Sequence, residues 1–282
     1  MTGVQPMPAS SESGARRIQH GPFETFYHQA GSGRPVLLIH GSGPGVSALA
    51  NWQTLLASAL SVRYQFLAPD VVGFGATHHT GSMELSHDTR VSQLIGFLDA
   101  LKLNTVDVVG NSMGGGLALS LAHRYPERIR RMVLMGTVGI SFPITPGLDA
   151  VWGYTPSPEN VEKIFKLFAY DRGLITEDLV RQRYEASAVP DVHQRYSQAF
   201  AAPRQRHIDA MALAEDELAT IQTPTLLVHG RDDQIIPLSD TSLRLLQILP
   251  NADLVVFGRC GHWTQIERAA DFQRHIDGFF AS

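Results

Sequence analysis

The chain has 282 residues, 44% of them hydrophobic, enough for one generous domain with a sizeable core and an insertion. Its 23 Lys and Arg against 27 Asp and Glu leave a formal charge of -4, so no broad basic field for nucleic acid exists, and its apolar runs are shorter than the roughly 18 residues of a membrane span. A single cysteine, Cys260, excludes an internal disulfide and makes the cytoplasm the expected compartment.

Residues 1–20 lack the apolar stretch of a secretory signal, and their Ser, Gly and Pro content predicts a flexible tail. Alternation over Glu24–Gln29 predicts an edge strand. The continuous apolar runs Val36–Ile39 and Tyr64–Leu67 predict buried strands, and helical periodicity covers Asn51–Leu60, Val91–Leu101 and Met113–His123. His78-His79 falls in a polar stretch that reads as loop. Arg131–Met135 is a further strand. Strands alternating with helices imply an α/β fold, a mostly parallel sheet with helices on both faces.

From about Gly136 the alternation is broken by Pro143, Pro146, Pro156 and Pro158, before the helix-like stretches Asn160–Phe168 and Glu177–Ala188. It resumes near Pro224 with the apolar runs Thr225–Val228 and Leu254–Phe257. The connection is several-fold longer than an ordinary link between strand and helix. Residues 137–210 therefore read as a helical cap inserted into a core of residues 21–136 and 211–282. A separate helical domain is the competing reading, disfavoured because the chemistry-bearing loops that follow must return to the same sheet.

Gly110-Asn111-Ser112-Met113-Gly114 follows the apolar Val106, Val108 and Val109. A serine between two glycines at a strand end predicts a nucleophile elbow, with Ser112 strained and its hydroxyl exposed, rather than an ordinary Gly/Ser turn. The helix that follows aims N–H groups at any oxyanion formed beside Ser112. The partners of such a serine come later, acid before histidine. His229-Gly230-Arg231-Asp232-Asp233 closes the run at Val228, and the acid of this arrangement sits three residues after the glycine, which selects Asp233 over Asp232. Cys260-Gly261-His262-Trp263 closes the run at Phe257, and its glycine-rich loop favours His262 among twelve histidines. The loop His40-Gly41-Ser42-Gly43-Pro44-Gly45 lies where a second oxyanion donor belongs, so the N–H groups of Ser42 and Met113 are the candidate pair. No H-E-x-x-H and no Cys/His ligand cluster is present; neither metal nor cofactor is expected.

Together these four motifs resemble the meta-cleavage product hydrolases, carbon–carbon bond hydrolases of the α/β-hydrolase superfamily that act in bacterial breakdown of aromatic compounds. The resemblance extends from about residue 20 over nearly the whole chain. It implies Ser112, Asp233 and His262 as triad, with Ser42 and Met113 as oxyanion donors. Asn51, Asn111 and the cap arginine Arg183 match groups at the carboxylate end of the substrate, and Gly41, Phe168, Ile236 and Trp263 match pocket residues. Phe168 and Trp263 read equally well as core packing, and Arg183 as a solvated helix residue in an arginine-rich segment.

The implied reaction is cleavage of the C5–C6 bond of 2-hydroxy-6-oxo-hexa-2,4-dienoates to 2-hydroxypenta-2,4-dienoate and a carboxylic acid. The loop with Ser42 and the stretch Val151-Trp152-Gly153-Tyr154 look more like members that take monocyclic, alkyl-substituted substrates or 2-hydroxymuconate semialdehyde, phenyl-bearing substrates being second. A small-molecule dienoate is the expected partner, with a homo-oligomer as the assembly. A carboxylesterase or thioesterase with the same triad is the alternative, and a ligand-sensing receptor on the same scaffold a remoter one.

Overall fold

The computed structural model describes residues 14–282. Among the described residues nine strands form one sheet: β1 (Ala15–His20), β2 (Phe23–Ala30), β3 (Arg34–Ile39), β4 (Tyr64–Pro69), β5 (His78–His79), β6 (Val106–Asn111), β7 (Ile129–Met135), β8 (Thr225–Gly230) and β9 (Ala252–Phe257). Their order is β1-β2-β4-β3-β6-β7-β8-β9, with β5 paired to β2. Pairings from β4 to β9 are parallel, and those made by β2 are antiparallel.

The period-2 alternation of side chains divides the apolar strands between two cores. Leu37, Ile39, Val108, Met132, Leu134 and Leu227 face one, under the helices His87–Ala100 and Met113–Arg124. Val36, Leu38, Val109, Val133, Met135 and Val228 face the other, with Trp52, Phe272, Ile276 and Phe280. Burial on both faces is why these strands read as unbroken apolar runs.

Three expectations are corrected. Glu24–Gln29, read as an edge strand, belongs to β2, which lies inside the sheet between β1 and β4. Residues 15–20, read as part of a flexible tail, are β1, paired in register with β2 from Ala15↔His28 to His20↔Phe23; the rest of the expected tail, residues 1–13, lies outside the described residues. Sequence pattern missed β1 because it is a largely exposed edge strand of Ala-Arg-Arg-Ile-Gln-His, with no apolar face to announce it. His78-His79, read as loop, pairs with Phe23 and Glu24 as the short strand β5.

Between β7 and β8 the chain runs through six helices, Pro146–Trp152, Pro158–Phe168, Glu177–Ala188, Pro190–Ala199, Gln205–Asp209 and Glu215–Ala219. Pro146, Pro158 and Pro190 each open a helix, the first two behind the side-chain caps Thr145 and Ser157. Proline at the first helical position lacks only an N–H that would be unpaired anyway. Of the four prolines that read as breakers, Pro146 and Pro158 are starters.

Candidate active site

Ser112 follows β6 directly, with φ 53 and ψ -114, a conformation that L residues rarely hold. Ser112 N–H donates to Met135 O at 3.0 Å, and Val138 N–H donates to Ser112 O at 3.3 Å, so the end of β7 and the loop after it fix both ends of the strained residue. The flanking glycines are required by contact. A Cβ on Gly110 would lie 2.6 Å from Gly114 O, and one on Gly114 would collide with the carbonyl of Ile39. That last contact brings the end of β3 onto the elbow. A Cβ on Gly41 would reach Ser112 Cβ at 3.3 Å.

The loop after β3 is held from several sides. Val71 N–H donates to His40 Nε2 at 2.9 Å, which leaves Nδ1 protonated to donate to Gly41 O at 2.7 Å. Gly41 N–H donates to Asn51 Oδ1 at 3.4 Å, and Trp152 Nε1 donates to Ser42 Oγ at 3.0 Å. Ser42 N–H itself has no hydrogen-bond partner among the described residues. Met113 is the first residue of its helix, where an N–H has no intrahelical acceptor.

Asp233 and His262 are joined, His262 Nδ1 lying 2.7 Å from Asp233 Oδ2. Oδ1 of the same carboxylate accepts from Ile235 N–H at 2.8 Å and Ile236 N–H at 3.0 Å, and His229 Nε2 stands 3.5 Å from Oδ2. Burial alone would push this carboxyl up; His262 and the hydrogen bonds overcome it and hold Asp233 well below the usual carboxylate range. Asp232, with 30% of its side chain exposed, points at Arg231. The expected relay is incomplete at one link, because no hydrogen bond joins Ser112 Oγ to His262. The hydroxyl has no side-chain partner and is free to move between staggered wells, whereas the imidazole is fixed at Nδ1.

Ser112 and His262 open into one cavity of about 160 Å³, together with Gly41, Ser42, Asn51, Asn111, Phe168, Arg183 and Trp263. Phe168 stacks on Trp263 (5.3 Å, 11° between planes) and on His262 (5.5 Å, 27°), so its ring is both packing and cavity wall. Asn111 Nδ2 donates to Met135 O at 3.4 Å, and Asn51 Nδ2 has no partner among the described residues. Arg183 donates from Nη1 to Pro44 O at 3.3 Å and lies over the Phe165 ring at 5.8 Å. Burial lowers its guanidinium to about 10, which leaves it charged at neutral pH.

Ile236 is not on the cavity wall. Its N–H serves Asp233 and its carbonyl accepts from His229 Nε2 at 3.0 Å, while the neighbouring Ile235 lines the cavity. Met113 is also off the wall by its side chain, which packs in the core. Sequence reasoning missed Leu148, Leu174, Leu179 and Gln265 on the wall, and the supports His229 and Gly136; Val151 on the wall and Trp152 behind Ser42 fall in the stretch it singles out for substrate type. His229 carried a signal, a polar residue closing an otherwise apolar strand four positions before the acid.

The chain belongs to the α/β hydrolases: the family model described as alpha/beta hydrolase fold matches residues 34–269. Within them it belongs to the meta-cleavage product hydrolases. It is 49% identical over 95% of its length to the 2-hydroxy-6-oxo-2,4-heptadienoate hydrolase of Pseudomonas putida strain F1, covering 96% of that protein. To the 2-hydroxymuconate semialdehyde hydrolase of Pseudomonas sp. strain CF600 it is 47% identical, over 97% of this chain and 96% of that one. A serine-to-alanine mutant of the meta-cleavage product hydrolase CumD of Pseudomonas fluorescens IP01, complexed with acetates, superposes with a TM-score of 0.92 at 50% identity, covering 95% of this chain and 98% of that one.

Proposed function

We propose that the chain hydrolyses the C5–C6 bond of 2-hydroxy-6-oxo-hexa-2,4-dienoates with a small alkyl group or hydrogen at C6. The observation that carries this is a guanidinium without a carboxylate partner among the described residues, Arg183, in the same cavity as Ser112 and His262. An esterase for neutral substrates has no use for a desolvated cation there; a substrate that carries its own carboxylate supplies the missing charge. The cavity volume supports a small substituent, since a dry cavity of about 150 Å³ holds one six-membered ring.

In this reading Arg183, Asn51 and Asn111 hold the carboxylate and the 2-oxygen. His262, kept in one tautomer by Asp233, moves the proton that converts the dienol to its keto form. Ketonisation gives the leaving carbon a stabilised carbanion, so C5–C6 can break. Either Ser112 Oγ or a water that it orients then adds to the C6 carbonyl and gives its proton to His262; the Ser42 and Met113 N–H groups hold the oxyanion until C5–C6 breaks, and the leaving C5 carbanion takes the proton. One water is consumed, and the products are 2-hydroxypenta-2,4-dienoate and a carboxylic acid. Phe168, Trp263 and Gly41 shape the pocket, and residues 137–210 close it as a cap. No cofactor takes part.

No helix among the described residues is long and apolar enough to cross a membrane. We place the enzyme in the cytoplasm as a homo-oligomer; the open edge of β9, with Val256 40% exposed, supports a face for a second copy.

The test pairs two variants on a panel of 6-methyl, 6-isopropyl, 6-phenyl and unsubstituted dienoates. Ser112→Ala should bind dienoate and form no product. Arg183→Ala should raise KM for dienoates, by on the order of 10- to 100-fold for a lost charge-assisted pair, and cost a neutral ester far less, only what the lost bond to Pro44 O in the Ser42 loop costs both substrates. Equal losses on ester and dienoate would remove the carboxylate from the substrate's description.

A further inference from the structure

A second pocket, of about 670 Å³, shares no lining residue with the catalytic cavity. It is framed by the loop Met83–Ser86, the start of the helix His87–Ala100, and the helices Pro190–Ala199 and Gln205–Asp209. We propose that this pocket is a binding site for a small organic carboxylate with an apolar tail, centred on Arg90.

Arg90 is 5% exposed, and its Nε and Nη2 have no hydrogen-bond partner among the described residues. Nη1 is the part of the head group left open to the pocket. The guanidinium lies over the Phe74 ring at 5.7 Å, a contact that stabilises a cation without neutralising it. Burial lowers it to about 10, so it keeps its proton at neutral pH. A buried charge without a counter-ion is costly to hold in a fold, and an anion delivered to Nη1 relieves that cost.

The rest of the wall points the same way. Arg195 and Arg206 line it, against Glu84 as its acidic member, three cations to one anion among the described residues. His87 has Ser120 Oγ at 2.8 Å from Nε2, and its Nδ1 is buried without a partner. Burial first, then Arg90 and Arg124, lowers this imidazole to about 4, so it is neutral at pH 7; with Ser120 donating to Nε2, Nδ1–H is left to donate to an anion. Met83, Leu85, Phe200 and Met211 provide apolar wall, which suits a hydrocarbon tail better than a fully hydrated phosphate.

An occupant of this pocket leans on residues that also hold the catalytic loop. Phe200 stacks on Trp152 with ring centroids 4.8 Å apart, and His207 meets the same indole edge-on at 5.9 Å. Trp152 is the residue whose indole N–H donates to Ser42 Oγ.

The test is calorimetric titration of butyrate into the full chain carrying Arg183→Ala, which removes the cation of the catalytic cavity. We expect about one equivalent of butyrate still to bind. Adding Arg206→Ala, an exposed position that the fold tolerates, should weaken that binding about tenfold, the equivalent of 1.4 kcal/mol. Adding Arg90→Met should abolish it, with circular dichroism confirming that the protein is folded; if this variant does not fold, the Arg206→Ala result decides. Absence of any butyrate binding in Arg183→Ala, or binding indifferent to Arg206, would overturn the site. Inorganic phosphate binding as tightly as butyrate would overturn its assignment to an apolar carboxylate.

Discussion

Gly136 sits at the end of β7 with φ +47, and a Cβ built on it would lie 2.9 Å from His262 Nδ1, 3.0 Å from His262 Cε1 and 3.2 Å from Asp233 Oδ2. The hydrogen-bonded pair of imidazole and carboxylate thus packs directly on a residue without a side chain. Gly136 N–H donates to Val228 O at 3.0 Å, so the backbone is tied to β8 and cannot slide away. In Gly136→Ala the imidazole must yield by about half an ångström. A misplacement of about 1 Å can cost on the order of 100-fold in rate, so kcat should fall roughly 10- to 100-fold. The left-handed backbone adds about 1–2 kcal/mol of destabilisation for any L side chain. Two controls separate strain from displacement. Gly81 has φ +77 with nothing within 4 Å of its added Cβ, so Gly81→Ala should share the strain and keep kcat. Gly278, inside the last helix with open space around it, should gain about 0.5–1 kcal/mol as Ala. Loss of the dienol absorbance under saturating substrate gives kcat, and thermal unfolding gives stability. A Gly136→Ala enzyme that folds and turns over within about twofold of its parent would refute the claim that the pair depends on this gap.

Asp233→Asn, which removes the charge opposite His262 and offers the wrong hydrogen-bond pattern, should lower kcat by on the order of 10⁴-fold as in other serine triads, whereas Asp232→Asn should change it little; the reverse ranking in steady-state kinetics would move the acid by one residue. The Cys260 thiol is pushed up to about 12 by burial first and by Glu267 next, so the native protein should resist a thiol-titrating reagent at pH 8 and react once unfolded in urea. Because that pKa is raised on folding, its contribution to stability is present below the unfolded value near 9 and is lost as pH rises toward 12. Cys260→Ala should flatten the fall of Tm over that window, and an unchanged slope would assign the fall to other groups.

The catalytic loops were legible because each requires particular residues at fixed spacing. Backbone collisions at Gly110 and Gly114 leave no alternative to glycine, so the elbow is written in the chain. The strands of the parallel sheet were legible for a similar reason, since burial on both faces demands unbroken apolar runs. What sequence left hidden depends on neighbours brought from afar. β1 is amphipathic only in relation to β2, and its exposed Arg16 and Arg17 resemble those of any solvated tail. Gly136 and His229 matter because β7 and β8 lie side by side, although Thr225 comes 90 positions after Met135 and no local pattern links the two. Ile236 and Ile235 are indistinguishable as hydrophobic residues; only the turn around Asp233 decides which one faces the cavity.

The inserted helices do more than cover the cavity, because three of their residues hold the catalytic loops in place. Trp152 donates to the hydroxyl of Ser42, the residue whose N–H is the proposed oxyanion donor. Phe168 O accepts from His262 N–H at 2.7 Å, which anchors the backbone of the loop that presents the imidazole. Arg183 donates to Pro44 O in the same loop as Ser42. A segment that only gated access would affect substrate entry and KM. One that is bonded to both the oxyanion loop and the histidine loop also sets their geometry, so substitutions between residues 137 and 210 should act on kcat as well. The same contacts would couple substrate size to rate: a C6 substituent that displaced Trp152 or Phe168 would move Ser42 or His262 with it, so across the dienoate panel a bulky substituent should lower kcat and not only raise KM.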